Sequence, residues 1–306
     1  MSTTKNPSPV VKAIVPVGGL GTRLLPATKS MPKEMLPVGR KPVVQYVIEE
    51  LQAAGVHQIL LITGRRKQAI EDHFDADPEL AAALQRGGSE RQMADLAYHN
   101  SHTRFYYTRQ AEPRGLGDAV AYGAEFAGKD PCVVSLGDSI IQAEQEGAML
   151  RRMIAAHVAT GASATIAVEE VPADETYRYG IVAPAGNADP PAGDPFRLKD
   201  IIEKPHRGAS PSRLAVAARY VLNPEIFDAL RQTPQDSHGE LQLTDAIQLL
   251  IQWGKPVYAW RMRPDERRYD IGNFESYFRA FLDFALADER FGYTLRQYLK
   301  ARAYEI

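Results

Sequence analysis

A chain of 306 residues, 44% apolar and 24% charged, has the composition of an ordinary soluble globular protein, with room for one sizeable domain or two joined ones. A net charge of −2 argues against nucleic acid or a membrane surface as the main partner. No stretch approaches the ~18 consecutive apolar residues of a membrane span, the start lacks a signal-peptide core, and the single Cys132 has no internal disulfide partner, so a cytoplasmic protein with a buried thiol is expected.

Residues 1–10, rich in Ser, Thr, Asn and Pro, read as a frayed tail. An apolar strand is predicted over 12–17, followed by a long basic loop. Val43, Val44, Val47, Ile48 and Leu51 recur at helical spacing over 42–54, and Gly55 ends that helix. A strand over 58–63 and a short helix over 67–74 come next. The polar, Ala-rich stretch 76–102 is expected to hold one or two helices and a mobile loop. A strand over 104–108, a helix over 117–127 and a strand over 132–136 complete a β-α-β alternation. Such alternation implies a Rossmann-like, mostly parallel central sheet flanked by helices. The second half differs. After a helix over 147–158, short strands at 164–168, 179–182, 197–202 and 215–221 are joined by Pro- and Gly-rich turns, including 185–194. Helices at 224–231 and 243–252, a strand at 256–260 and C-terminal helices at 273–287 and 293–303 follow. There is no internal repeat and no polar linker long enough to cut the chain. The expectation is one domain over 11–288, a tail before it and a helix over 289–306 after it.

Ligands of parallel sheets bind at the carboxyl ends of the strands. Three loops follow predicted strands and should share that rim: Gly18–Arg23, Gln110–Gly117 and Gly137–Asp138. The first is the most distinctive. Gly18, Gly19 and Gly21 permit tight turning and close ligand approach, and Thr22, Arg23, Lys29, Lys33 and Glu34 follow. A dinucleotide fingerprint would need a third glycine where Leu24 stands, and a Walker A sequence is absent. Glycines with Arg23, Lys29 and Lys33 after a first strand indicate a nucleoside triphosphate site. The seven histidines show no metal-ligand spacing, and His99 and His102 read as surface residues.

The stretch GGLGTRLLPATKSMPKEMLPV is similar to the fingerprint of the sugar-1-phosphate nucleotidyltransferases, and its PATKSMPKEMLPV half to that of the bacterial UTP–glucose-1-phosphate uridylyltransferases. The resemblance runs from Lys12 to about Asp288 through several motifs in the family's order. It implies that the loop, with Gly18, Gly19, Gly21, Thr22 and Glu34, wraps the triphosphate, and that Arg23 and Lys33 contact its phosphates. Lys29 is read equally as a further phosphate contact or a solvated lysine. It implies that Gln110 and the Gly115 backbone read the uracil edge, for which an amide that donates and accepts is suited. Asp118 stands where the family commonly has histidine or another residue, and it receives no role.

Asp138, in Leu-Gly-Asp-Ser where relatives often have Leu-Pro-Asp-Asp or Leu-Pro-Asp-Val, and Asp270, in RRYDIGN, are the implied Mg²⁺ ligands. Two carboxylates plus phosphates and waters suit that ion. Gly180, Glu203 and Lys204 are the implied sugar site, with Lys204 on the sugar phosphate. HGELQLTDAI (238–247) matches G-E-x-Q-L-T-D, with Glu240 and Asp245 near the sugar as one possibility. The nucleotide part is thereby about 11–140 and a smaller, β-rich sugar part about 141–272. The implied reaction joins UTP and glucose 1-phosphate into UDP-glucose and pyrophosphate, with Arg23, Lys33, Asp138 and Lys204 as catalytic residues. A homodimer or homotetramer is implied as the assembly, with neither nucleic acid nor membrane as partner. Two alternatives stay open: dTTP or another hexose 1-phosphate as substrate, and a non-catalytic regulator that binds nucleotide sugar.

Overall fold

The first apolar run forms β1 (Lys12–Pro16), whose three central residues are buried on both faces of the sheet. Its side chains alternate: Ile14 enters one core, while Ala13 and Val15 enter the other. This is the period of two that a doubly covered strand requires. The computed structural model describes residues 10–88, 102–186 and 189–303. The expected tail, save Val10, therefore lies outside the described residues, as do His99 and much of the loop expected within 76–102.

The remaining strands are β2 (Pro37–Val38), β3 (Lys41–Pro42), β4 (Gln58–Thr63), β5 (Arg104–Arg109), β6 (Cys132–Ser135), β7 (Ser139–Gln142), β8 (Ala164–Glu170), β9 (Gly180–Pro184), β10 (Pro195–Glu203), β11 (Leu214–Leu222), β12 (Val257–Arg261) and β13 (Arg267–Asp270). The helices are α1 (Val43–Ala53), α2 (Gln68–Phe74), α3 (Pro78–Arg86), α4 (Leu116–Ala121), α5 (Ala124–Ala127), α6 (Ala148–Thr160), α7 (Glu225–Gln232), α8 (Leu243–Gln252), α9 (Phe274–Ala287) and α10 (Gly292–Arg302).

Nine strands form one sheet in the order β5-β4-β1-β6-β11-β8-β12-β10-β9. The first four are mutually parallel. From β6 onward the pairings are antiparallel, except that β12 runs parallel to β8. The expected parallel first half and β-rich second half are thus parts of one continuous sheet. One face carries α4, α5, α7 and α8 over the core that includes Ile14, Ile62, Leu230 and Ile247. The other carries α1, α2 and α6 over the core that includes Val15, Ile48, Leu61 and Met153.

Two details depart from the sequence reading. The helix expected over 117–127 is interrupted between α4 and α5. There Gly123 lies against β1 so closely that a Cβ would fall 2.2 Å from Ile14 Cδ1. The strands β7 and β13 were not expected. They pair antiparallel with Asp270 opposite Ser139, and the carbonyl of Asp138 accepts from the Ile271 N–H at 2.9 Å. A third core, containing Leu24, Leu36, Ile140, Tyr269 and Ile271, joins the basic loop, this strand pair and α9.

Candidate active site

The three loops meet as expected. Val17 continues β1 by donating to the Ile62 carbonyl, Gln110 leaves β5 by donating to the Thr63 carbonyl, and Gly137 donates to the Pro16 carbonyl. They surround an open cleft of about 490 Å³. Gly18, Gly19, Gly21, Thr22, Arg23, Lys33, Glu34, Gln110, Gly115 and Asp138 all line it. Lys29 does not; it lines a second cavity of about 100 Å³ with Arg65 and Arg66. Three single 3₁₀ turns, Thr22–Leu24, Ala27–Lys29 and Lys33–Met35, shape the basic loop. Its start is pinned where the Thr28 hydroxyl donates to the Gly21 carbonyl at 2.7 Å.

Lys33 reaches back over Gly19, where a Cβ would lie 3.3 Å from its Nζ and Cε. Its ammonium donates to Asp138 Oδ2 at 2.5 Å. Burial opposes the charge on Lys33, but the Asp138 and Glu34 carboxylates outweigh burial and hold its pKa above the ordinary lysine value. Burial likewise works against the Asp138 charge, yet Lys33 keeps that carboxyl below its ordinary range. Asp270 moves the other way: burial and then the Asp138 charge raise it, against the pull of Arg268 and Lys33. The β7–β13 pairing, with Asp270 opposite Ser139, brings the two residues near enough for the Asp138 charge to act on Asp270. A pair of hard oxygen donors that repel one another beside a basic loop suits Mg²⁺ completed by phosphates.

Four features were not foreseen. First, Glu34 is buried and its carboxylate accepts from Lys67 Nζ at 2.7 Å, so this residue of the cleft wall is tied into the protein. Burial raises the Glu34 pKa, against Lys67 and Lys33. Lys67, the last of the Arg65-Arg66-Lys67 run, gave no sequence sign that it alone turns inward. Second, Gln110 Nε2 donates to Asp118 Oδ2 at 2.6 Å. Third, the GELQL segment clamps the Gln110–Gly117 loop. Leu241 accepts from the Gly117 N–H and donates to the Arg114 carbonyl, both at 2.8 Å. Gly115, at φ +95°, passes so near that a Cβ would sit 2.5 Å from the Leu241 oxygen. Fourth, Arg268 pairs with Glu169, stacks its guanidinium 5.5 Å from the Tyr179 ring centre and lies 3.8 Å from Asp270.

Gly180, Glu203 and Lys204 form a second group outside the lining of the cleft. Glu203 Oε2 accepts from the Thr244 hydroxyl at 2.8 Å, and Oε1 lies 3.2 Å from Lys204 Nζ. A Cβ on Gly180 would crowd Glu203 Oε2 at 3.1 Å. Lys204 is held at φ +42°, sparsely populated for a side-chain-bearing residue, while its N–H donates to the Tyr179 carbonyl. Asp245 faces the same group, its pKa raised by burial and then by Glu203. The segment from Glu240, in the cleft wall, to Thr244 and Asp245 thus connects the two groups.

A glycine-rich cradle and the buried Gln110 amide at the carboxyl ends of the parallel strands, with the Asp138 and Asp270 carboxylates beside them, are the makings of a nucleotidyl-transfer site. The family model described as "Nucleotidyl transferase" matches residues 12–286, and the chain belongs to that family. Among its relatives, a protein of Bacillus subtilis named UTP–glucose-1-phosphate uridylyltransferase is 44% identical over 92% of each chain. A protein of Staphylococcus saprophyticus named UTP–glucose-1-phosphate uridylyltransferase 2 is 41% identical, covering 95% of this chain and 97% of its own. A solved structure described as a UTP-bound UGPase from Acinetobacter baumannii superposes with a TM-score of 0.87 at 37% identity, over 95% of this chain and 98% of that one. The resemblance read from the motifs is borne out.

Proposed function

We propose that the protein transfers a uridylyl group from UTP to glucose 1-phosphate, giving UDP-glucose and pyrophosphate. The observation that carries this reading is the meeting of the glycine loop, Gln110 and Asp138 in one cleft, in a chain whose relatives bear the name of that activity. A sugar phosphate oxygen attacks the α-phosphorus of UTP. The new P–O bond forms as the bond to the β-phosphate bridging oxygen breaks, and pyrophosphate leaves. The second pKa of a phosphate monoester is about 6, so the nucleophile is already mostly a dianion at neutral pH and no general base is required. The protein positions the reactants and balances charge.

Arg23 and Lys33 take the charge of the triphosphate and the departing pyrophosphate. Gln110 and the Gly115 backbone hold the base. Lys204 brings the sugar phosphate in against like-charge repulsion, and Glu203 and Gly180 hold the hexose. Asp138 and Asp270 would hold Mg²⁺, which when bound supplies charge neutralisation at phosphate oxygens. On this reading 11–140 is the nucleotide part and 141–272 the sugar part of one domain over 11–288, with 289–306 as a terminal helix.

The protein works in the cytoplasm. Burial pushes the Cys132 thiol up to about 12, which suits an unreactive packing residue, and no helix among the described residues is long and apolar enough to cross a membrane. It assembles as a homodimer or homotetramer through α9, α10 and the turn between them, which expose Phe278, Phe281, Phe291 and Tyr298; light scattering at micromolar concentration checks this, and a monomer contradicts it. The activity is tested by pyrophosphate release from a panel of nucleoside triphosphates and sugar 1-phosphates. UTP with glucose 1-phosphate should give the highest kcat/KM. A clear preference for dTTP or another hexose, or binding without turnover, overturns the reading.

A further inference from the structure

Asp118 sits in the first turn of α4, just beyond Gly115 and Leu116 of the cleft wall, but does not itself line the cleft. Its carboxylate accepts from Gln110, the buried amide that does line the cleft. A carboxylate accepts hydrogen bonds and donates none. The 2.6 Å contact therefore requires that Gln110 turn its NH₂ toward Asp118. The opposite orientation would bring the amide oxygen against a carboxylate oxygen at that distance, lone pair to lone pair. With Nε2 so anchored, Oε1 lies on the Gly18 side, where a Cβ on residue 18 would come within 3.3 Å of it. Gly18 is also part of the cleft wall. The anchor thus gives the amide a fixed polarity at the cleft.

Fixed polarity has a chemical consequence. Uracil offers a donor at N3 and an acceptor at O4, whereas cytosine offers an acceptor at N3 and a donor at N4. A freely flipping glutamine can satisfy either edge, because its oxygen and its NH₂ exchange places. A glutamine whose oxygen is held toward the base matches the N3–H of a uracil-type edge and sets oxygen against the N3 lone pair of cytosine. Leaving a buried polar group mismatched is the costly outcome.

We propose that Asp118 is a positioning residue that locks the Gln110 amide and thereby makes the site select uracil-type over cytosine-type nucleotides. The inference rests on the nucleotide site described above and on Gln110 as its base reader. It assigns the selectivity not to the glutamine alone but to the pair. The neighbouring Arg114 guanidinium donates to Glu112 and feels the Asp118 charge only electrostatically.

The test is equilibrium binding of UTP and CTP to the full-length protein, by calorimetry, for wild type, Asp118→Asn and Asp118→Ser. Asparagine is nearly isosteric and can donate to a flipped Gln110, so both orientations become satisfied. Wild type should prefer UTP, and the UTP-over-CTP ratio should fall about tenfold or more in both variants, with urea midpoints close to wild type. In steady-state kinetics the loss should fall on KM for UTP more than on kcat. In a Gln110→Ala background, Asp118→Asn should change the ratio no further. A ratio that survives both Asp118 substitutions, or that falls equally with Gln110 absent, overturns the proposal, as does a wild type without preference. Selective UTP binding that is lost in Asp118→Asn, in a protein that does not turn over UTP with glucose 1-phosphate, would uphold the lock and overturn the proposed reaction instead.

Discussion

Replacing Lys67 by methionine removes the hydrogen-bonding partner of the buried Glu34 carboxylate. The Glu34 and Lys67 side chains are only 1% and 6% exposed, so the charge left behind is not screened. Breaking such a pair from one side costs about 3–5 kcal/mol, because the surviving charge stays buried without its hydrogen-bonding partner, and the nearby Lys33 charge places the loss toward the lower end. Methionine fills a similar volume, which keeps the packing contribution small. The loss has a pH signature. The folded-state pKa of Glu34 is already raised above its unfolded value of about 4.3. Its contribution to stability is therefore fully present below that unfolded value and is lost as pH rises through the folded value. Lys67 is the largest influence lowering that pKa, so its removal moves the folded value higher and extends the loss to higher pH. As the pH falls below the raised folded value, the Glu34 charge is progressively lost in both proteins, and the gap should shrink toward about 1 kcal/mol, the worth of a hydrogen bond. At pH 8 the full penalty should appear as a fall in the urea midpoint of about 1 M or more. Urea titrations of both proteins at pH 8 and at successively lower pH measure this. A gap independent of pH, or one below about 1 kcal/mol at pH 8, would refute the buried-charge argument.

Other substitutions probe the division of the site. Gly115→Ala must accommodate a Cβ 2.5 Å from the Leu241 oxygen at φ +95°. With strain of about 1–3 kcal/mol at such a backbone, it should raise KM for UTP about tenfold or more while affecting KM for glucose 1-phosphate less. Thr244→Val removes the hydroxyl that Glu203 accepts from. It should raise KM for glucose 1-phosphate about three- to tenfold, with UTP affinity nearly unchanged by calorimetry. Lys204→Ala should likewise impair use of the sugar phosphate most; an effect confined to UTP would contradict its assignment.

Much of this was legible in the linear chain, for physical reasons. Buried parallel strands such as Gln58–Thr63 are continuous apolar runs, and their following loops must gather at one rim, so the sequence alone groups Gly18, Gln110 and Asp138. The pairing that sets Asp270 beside Asp138 was not legible. Its strands, Ser139–Gln142 and Arg267–Asp270, have four residues each, too few for a periodic pattern, and meet only through the fold. The same holds for the Gly-Glu-Leu-Gln-Leu segment, whose role lies in backbone bonds to Arg114 and Gly117. The inward turn of Lys67 is equally tertiary: nothing within an Arg-Arg-Lys run tells a buried ammonium from a solvated one. Arg219 is a further case. It is fully buried against Glu50 and also donates to the Ser139 carbonyl, supporting the Asp138 turn from behind.

Whether the cleft holding Asp138 carries out uridylyl transfer is decided by following UDP-glucose and pyrophosphate together from UTP and glucose 1-phosphate at saturating Mg²⁺, in wild type and Asp138→Asn. Wild type should yield equimolar products, and kcat should fall about 100-fold or more in the variant, the scale on which one preorganised electrostatic group acts. Turnover by Asp138→Asn near the wild-type rate would contradict that role for the cleft.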